Sequence, residues 1–236
     1  MQAYCEEELI PCENKENCYE LKFYGDNFNY LWGNKKYNEF LSEKLNELIA
    51  IKNKIKERSS KEIIISGGEP LLQRQALINI FNFCKKNKIK TGIITNASKP
   101  KVLESLLKQG IVDTIIVDLR TSKEDFKKIT RTGTFFESSE EIYSKILKSL
   151  KILEKYDKEV TIIFRTTVIP GYVFRKEVFI DIAGLIKNIN SVWELKRFIA
   201  LENSMFSNIN PASEAFMEAI KEIVEKDIKK SNVILE

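Results

Sequence analysis

Short apolar, β-branched runs alternate along the chain with longer stretches in which apolar residues recur at helical spacing. The short runs predict strands at residues 21–24, 62–66, 91–95, 114–118, 160–168 and 193–200, with one more short strand at 233–235. The longer stretches predict helices at residues 40–58, 75–86, 100–109, 140–155, 175–188 and 212–230, with Ser98 as the N-cap of the third. Because strand–helix repeats of this kind form parallel sheets, the sequence predicts an α/β protein.

Polar and glycine residues collect where the predicted strands end. These ends read Gly25-Asp26-Asn27, Gly67-Gly68-Glu69, Thr95-Asn96, Asp118-Leu119-Arg120 and residues 165–171. The carboxyl ends of parallel barrel strands meet at one edge, so these residues are expected to lie together on a single rim. Each set alone is typical of an ordinary turn, whereas five sets at one edge favour a shared binding site.

Composition and charge exclude several other classes of protein. The net charge is only +4 over 236 residues, and lysines alternate with glutamates on the predicted helices, so we expect no nucleic-acid partner. No apolar run approaches the ~20 residues that span a bilayer, and the acidic N-terminal residues do not resemble a signal peptide. These features predict a cytoplasmic protein without a membrane partner, in a setting where disulfides are rare. The sequence has no histidine, so any catalysis must depend on carboxylates, cysteines or a cofactor.

One strand end carries a specific resemblance. Residues 66–73, SGGEPLLQ, resemble the SGGEP-x-LQ segment of radical SAM (S-adenosylmethionine) activating enzymes, which install glycyl radicals, for example in anaerobic ribonucleotide reductase. In that family this strand end binds the amino group of SAM. Glycines allow close approach to a ligand and exposed carbonyls accept from an ammonium group, as Gly67 and Gly68 would. The carboxylate of Glu69 is expected to hold either the loop or the ammonium group.

Other segments match the same family in the same order. Residues 95–98 are similar to its T-N-G segment near the SAM ribose, residues 117–120 to its L-D-I-K segment, and residues 164–171 to an arginine-bearing strand near the SAM carboxylate. The resemblance covers residues 21–201 and implies a partial (βα)6 TIM-like barrel of the radical SAM type. A cysteine-containing segment, 1–20, precedes this core, and a closing helix and tail, 202–236, follow it. The implied cofactor-binding residues are Gly67, Gly68, Glu69, Thr95, Asn96, Asp118, Arg120 and Arg165.

The sequence departs from this family in the loop that binds its iron–sulfur cluster. That loop reads G-C-N-x-x-C-x-x-C and follows the first strand. Aligned on Gly25 and Asn27, the three cysteine positions fall on Asp26, Tyr30 and Gly33. Iron–sulfur clusters are held by thiolates, so this loop is not expected to bind a [4Fe–4S] cluster.

The four cysteines lie elsewhere, at Cys5, Cys12, Cys18 and Cys84. The spacing of the first three matches no common zinc or cluster pattern. They are interpreted as ligands of a displaced [4Fe–4S] cluster, as ligands of a separate zinc or cluster site, or as plain thiols with Cys84 in the core. Cys18 precedes a strand and Cys84 ends a crossover helix, so a shared metal site is expected at the barrel end opposite the rim.

Two functions remain open from the sequence. In the first, the chain is a cluster-deficient relative that binds SAM or another nucleoside and a protein partner, such as an active paralogue. In the second, it is an active radical SAM enzyme that uses atypical cysteines and acts on a glycyl-radical enzyme or a small molecule. Fold alone does not separate them.

Overall fold

The computed structural model describes residues 1–13, 15–30, 35–133, 137–200, 206–227 and 232–236. Its strands are β1 (Gln2–Tyr4), β2 (Ile10–Pro11), β3 (Cys18–Phe23), β4 (Leu45–Glu47), β5 (Glu62–Gly67), β6 (Lys90–Thr95), β7 (Thr114–Asp118), β8 (Thr161–Val168), β9 (Val192–Arg197) and β10 (Val233–Leu235). Its helices are α1 (Leu48–Glu57), α2 (Arg74–Lys86), α3 (Pro100–Lys108), α4 (Phe126–Thr130), α5 (Ser139–Tyr156), α6 (Lys176–Ile186) and α7 (Glu214–Asp227).

The main sheet has the order β10-β9-β8-β7-β6-β5-β3-β2. Every pairing from β3 to β10 is parallel, and β2 pairs antiparallel with β3. Helices connect the parallel strands, which confirms the predicted α/β fold and the partial TIM-like barrel. The short strand at 233–235 is confirmed as well, since it extends the sheet beside β9. None of the described helices is long and apolar enough to cross a membrane.

Alternation along the strands separates a buried outer face from a polar inner face. In β8, Ile162, Phe164 and Val168 are buried in the apolar core, whereas the intervening positions are partly exposed. The register places Arg165 beside Asp118 on β7 and beside Glu194 on β9, so these charged side chains share the inner face. The inner face of the barrel therefore has charged groups to present to a ligand.

The predicted helix at 40–58 is too long. The structure begins α1 at Leu48, because Leu45–Glu47 pairs antiparallel with β1 and Ser42–Lys44 forms a single 3₁₀ turn. Phe40 is half exposed and lies outside any helix. The apolar spacing of this segment therefore reflects two different elements.

The capping residue predicted for α3 is also wrong. Lys99 precedes α3 as the N-cap residue and supplies no side-chain cap. The hydroxyl of Ser98 instead accepts a hydrogen bond of 2.9 Å from Asn27 Nδ2 in the loop after β3. Ser98 therefore links two strand ends at the rim.

The N-terminal segment is joined to the rim by the last residue of the SGGEPLLQ sequence. Gln73 Oε1 accepts from the Tyr4 backbone N–H at 2.8 Å, while Gln73 Nε2 donates to the carbonyls of Tyr4 and Tyr24 at 2.9 and 3.0 Å. The side chains of Ala3 and Cys5 are buried in the same apolar core as the barrel strands. Residues 2–5 are thus fixed directly beside the candidate site.

Candidate functional site

Two glycines at the end of β5 allow neighbouring backbones to approach closely. Gly67 has a φ of +105°, and a Cβ atom there would lie 2.2 Å from the Phe23 carbonyl oxygen. A Cβ atom on Gly68 would lie 2.2 Å from the Gly25 carbonyl oxygen. The Gly68 and Glu69 amides donate to these same two carbonyls at 2.9 and 2.8 Å. A side chain at either glycine would therefore separate the ends of β3 and β5.

Glu69 organises the next part of the rim. Its side chain is fully buried and accepts three hydrogen bonds, from Leu71 N at 2.9 Å, Thr95 Oγ1 at 2.8 Å and Asn96 N at 2.7 Å. Burial raises the pKa of Glu69 to about 7, and the Asn96 hydrogen bond opposes that increase. Of the two roles expected for Glu69, the structure places its carboxyl group in the one that holds the loop.

A cavity of about 340 Å³ opens at this rim. Six of the eight predicted cofactor-binding residues line it: Gly67, Gly68, Thr95, Asn96, Asp118 and Arg120. Lys22, Tyr37 and Asn38 also line it and were not predicted. Lys22 was detectable as an inward-facing charge near the end of its strand. Tyr37 and Asn38 were not, because backbone hydrogen bonds to Gly25 and Asp26 bring that loop to the rim.

Arg165 lies on the inner face but is absent from the described lining of the cavity. Its Nε atom forms an ion pair with Glu194 Oε2 at 2.8 Å, across paired strands β8 and β9. The predicted contact between Arg165 and a ligand carboxylate thus requires a ligand that extends beyond the cavity or displaces Glu194.

The loop after β3 carries Asp26 into the cavity. Asp26 Oδ1 accepts from the Phe28 amide at 3.0 Å and from Asn96 Nδ2 at 3.4 Å. Burial raises the pKa of Asp26 to about 6, although the Phe28 hydrogen bond and the charge of Arg120 lower it. Phe28 is buried, and its ring packs edge-on against those of Tyr30 and Phe126, at 5.4 and 5.8 Å between centroids. This aromatic packing fixes the loop without metal ligands.

Arg120 occupies the space between the loop and β7. Its guanidinium forms an ion pair with Asp118 and lies over the Tyr30 ring, 4.6 Å from the centroid. The Tyr30 hydroxyl and the Arg120 Nε atom are buried and find no hydrogen-bond partner among the described residues.

The structure does not bring the four cysteines together. Cys12 and Cys18 form a disulfide, although the sequence favoured a setting where disulfides are rare, and they are not free thiolate ligands. Cys5 forms a β-bridge with Phe23 at the rim end of β3, whereas Cys18 begins that strand ~17 Å away. Cys84 is buried late in α2. Cys84 and Cys18 lie near the barrel end expected for them, but Cys5 does not.

No metal site replaces the predicted one in the part of the chain that the structure describes. Three or more carboxylates or cysteines are nowhere grouped there so as to hold a metal ion. Burial raises the pKa of both Cys5 and Cys84 to about 12, so both remain neutral thiols. Among the described residues, the four cysteines are therefore not grouped as the predicted zinc or cluster ligation would require.

Comparison with known proteins assigns the class. Residues 14–182 match the family model described as the Radical SAM superfamily. These residues make up well over half of the chain, and the chain therefore belongs to the radical SAM superfamily.

Two curated relatives come from one branch of that superfamily. A protein of Methanocaldococcus jannaschii, named provisionally as a glycyl-radical enzyme activating enzyme, is 35% identical over 126 residues, covering 53% of this chain and 50% of that protein. The pyruvate formate-lyase-activating enzyme of Clostridium pasteurianum is 30% identical over 137 residues, covering 58% of this chain and 52% of that enzyme. The resemblance to activating enzymes is thus confirmed, and the chain spans about half the length of the curated relatives it matches.

Solved structures show the same fold. A radical SAM methyltransferase from Sphaerobacter thermophilus superimposes with a TM-score of 0.69 at 10% identity, covering 97% of this chain and 68% of that one. A domain of pyruvate-formate lyase-activating enzyme from Bacteroides vulgatus gives 0.54 at 15% identity, covering 73% of this chain and 97% of that domain.

The donor groups at the rim do not fit the cluster that this family implies. A [4Fe–4S] cluster takes thiolate ligands, and the described lining of the cavity contains no cysteine. Asp26 presents a carboxyl group, and burial holds the pKa of Tyr30 well above its usual value, so its phenol stays protonated. Gly33, the third aligned position, lies outside the described residues. A cation, Arg120, lies against the Tyr30 ring.

Proposed function

We propose that this chain is a cluster-deficient member of the radical SAM superfamily, which binds SAM or a related nucleoside at the rim and acts through a protein partner. The observation that carries the proposal is the composition of the cavity. It keeps the Gly67-Gly68 strand end and the Thr95-Asn96 segment, yet Asp26, Tyr30 and Arg120 are present where the resemblance puts the cluster.

The retained rim supports ligand binding without reductive chemistry. The carbonyls of Gly67 and Gly68 are suited to accept from an ammonium group, and Thr95 and Asn96 are held in place by Glu69. The whole loop from Gly25 to Tyr30 is stabilised by hydrogen bonds and ring contacts. The cavity is therefore preorganised for an organic ligand.

A protein partner is proposed from the relatives and from the inner face. Two curated relatives are named as enzymes that activate other enzymes. The inner face of this chain carries two charged pairs, Glu20 with Lys22 and Arg165 with Glu194, of which all but the buried Glu194 are partly exposed. Charged pairs of this kind can exchange partners with a polar protein segment. An active paralogue or a glycyl-radical enzyme would be the partner.

The second candidate is an active radical SAM enzyme with a [4Fe–4S] cluster on atypical cysteines. Family membership and the names of the relatives favour it. It would require the Cys12–Cys18 disulfide to be reduced and Cys5 to leave the core.

Anaerobic iron–sulfur reconstitution separates the two candidates. The wild type and a Cys5/Cys12/Cys18 triple alanine variant are compared by visible absorption, iron content and EPR, with and without SAM. We expect no cluster that responds to SAM, together with SAM binding by calorimetry in the iron-free protein. About four irons per chain, with an EPR signal that SAM perturbs and the variant loses, would establish the active enzyme instead.

A further inference from the structure

Charges of both signs meet at one end of the cavity. Asp26 and Asp118 supply carboxylates, and Arg120 supplies a guanidinium close enough to lower the pKa of Asp26. Asp118 is already paired with Arg120, whereas Asp26 has no salt bridge within 4.0 Å among the described residues. Asp26, whose Oδ1 atom accepts from Phe28 and Asn96, and the paired cation Arg120 therefore line the same cavity.

Arg120 retains donor capacity after its pairing with Asp118. A guanidinium carries five N–H donors in a fixed fork, and Arg120 donates to Asp118 through Nη2. A quarter of the side-chain surface, 25%, remains exposed, although the Nε atom itself is buried and offers no donor to an incoming ligand. The Tyr30 ring beneath the guanidinium restricts its orientation. Arg120 is thus fixed in place with donors to spare.

A ligand that pairs with both groups would carry a cation for Asp26 and an anion for Arg120, as the ammonium and carboxylate of an α-amino acid do. Asp26 and the Gly67-Gly68 carbonyls suit the ammonium, and the fork of Arg120 suits the carboxylate. We propose that Asp26 and Arg120 form a subsite for an α-amino acid group, here the amino acid end of an adenosyl amino acid such as SAM or S-adenosylhomocysteine. This inference rests on the proposed function for the nucleoside half of the ligand.

The subsite extends beyond the retained Gly67-Gly68 strand end. In it, side chains rather than a metal recognise the two opposite charges of the ligand.

Calorimetry with matched ligands tests the proposal. S-adenosylhomocysteine carries both the nucleoside and the α-amino acid group, whereas 5′-methylthioadenosine lacks the amino acid group. We expect the wild type to bind S-adenosylhomocysteine at least ~10-fold more tightly, because charge-assisted bidentate contacts are lost with the smaller ligand. In Arg120→Gln and Asp26→Asn, the ratio of the affinity for S-adenosylhomocysteine to that for 5′-methylthioadenosine should fall towards one. The affinity for 5′-methylthioadenosine itself should stay within ~2-fold of the wild type.

Arg175→Gln is the matched control, because Arg175 also pairs with carboxylates through Nη2 but lies on the surface outside the cavity. It should keep the wild-type preference. Arg120→Lys keeps the charge without the fork and should retain only part of the preference. If thermal unfolding shows that Arg120→Gln is misfolded, Arg120→Lys and Asp26→Asn are the variants that test the subsite.

The outcomes distinguish this inference from the proposed function. Equal affinity of the wild type for the two ligands would overturn the subsite and leave nucleoside binding intact. An unchanged preference in both Arg120→Gln and Asp26→Asn would also overturn it. Failure of the wild type to bind either ligand would refute nucleoside binding itself.

Discussion

Arg120 lies over the ring of Tyr30 at 4.6 Å from its centroid, and Tyr30 is one of the positions at which the family resemblance expects a cluster cysteine. The contact joins the loop after β3 to the end of β7. The Tyr30 ring is held in turn by Phe28, so a layer of aromatic groups supports the guanidinium. At this point of the fold a cation–π contact provides the connection between strands.

The ring and the hydroxyl of Tyr30 should contribute differently to stability. Tyr30→Phe keeps the ring and removes a buried hydroxyl without a partner, so we expect the free energy of unfolding to change by less than ~1 kcal/mol. Tyr30→Leu removes the contacts to Arg120 and Phe28 and should cost ~1–3 kcal/mol. Urea unfolding at pH 7 measures both. A loss in Tyr30→Phe as large as that in Tyr30→Leu would mean that the hydroxyl has a partner.

Ligand affinity should depend on pH through Asp26. Its pKa is raised to about 6, and only the ionised carboxylate attracts an ammonium group. Affinity for S-adenosylhomocysteine should therefore rise with pH through about 6, by up to ~10-fold per unit below that value, and then level off. Calorimetry between pH 5 and 7.5 measures this dependence.

Other charged groups face Asp26, and the control must account for them. Arg120, Asp118, Tyr30 and Glu69 all interact with it electrostatically, and Glu69 titrates near 7. Asp26→Asn isolates the contribution of Asp26. A pH dependence that persists unchanged in this variant would assign it to Glu69 or to the ligand.

Glu69 should make stability fall as the pH rises. Its pKa in the folded protein is about 7, above the usual value near 4.5, so folding favours the protonated form. This contribution is complete below pH 4.5 and is lost as the pH rises through about 7, amounting to ~3 kcal/mol for the full shift. Other carboxylates, such as Glu6, have lowered pKa values and act in the opposite direction, so the wild type must be compared with a variant.

Glu69→Gln provides that comparison. The Gln side chain keeps one acceptor oxygen but places its NH2 group against the Asn96 N–H, so that two donors face each other. The substitution should therefore lower the free energy of unfolding by ~1–3 kcal/mol at pH 5. The difference in the free energy of unfolding between this variant and the wild type should decrease towards pH 8. Urea unfolding at both pH values measures this, with Glu104→Gln on the surface as the control whose difference should stay nearly constant, because the lowered pKa of Glu104 lies below both pH values. A constant difference for Glu69→Gln would contradict a raised pKa.

Gly68 should not tolerate a methyl group. Its Cβ atom would lie 2.2 Å from the Gly25 carbonyl oxygen and 2.7 Å from that of Tyr37, both of which are backbone atoms. Gly68→Ala should cost ~1–3 kcal/mol and weaken nucleoside binding. Gly184→Ala in α6 meets nothing within 4 Å and should instead stabilise by ~0.5–1 kcal/mol. Thermal unfolding of both variants tests the contrast, and equal effects would refute the steric argument.

The strands and the position of the rim were predictable because fully buried β-branched runs leave a strong local signal. The runs before Gly67 and after Thr114 became β5 and β7 with little change at their ends. The SGGEPLLQ sequence also indicated a strand end that lines the cavity. These features depend on neighbours in the sequence.

Features that depend on distant pairing were not predictable. Leu45 joined a strand because Tyr4 pairs with it, and Ser98 accepts from Asn27 rather than capping a helix. The choice between two roles for Glu69 required the positions of Thr95 and Asn96 relative to it. In each case, the partner lies more than twenty residues away and no spacing rule indicates it.

The hydrogen bonds of Gln73 to Tyr4 and Tyr24 should limit local unfolding of residues 2–5. Short segments with few backbone partners usually open locally, and their amides exchange with solvent rapidly. Here the Tyr4 amide is bonded to a side chain of the strand-end sequence, which also holds the Tyr24 carbonyl. Residues 2–5 and the loop of the cavity therefore belong to one cooperative unit, and the Tyr4 amide should exchange as slowly as those of β5.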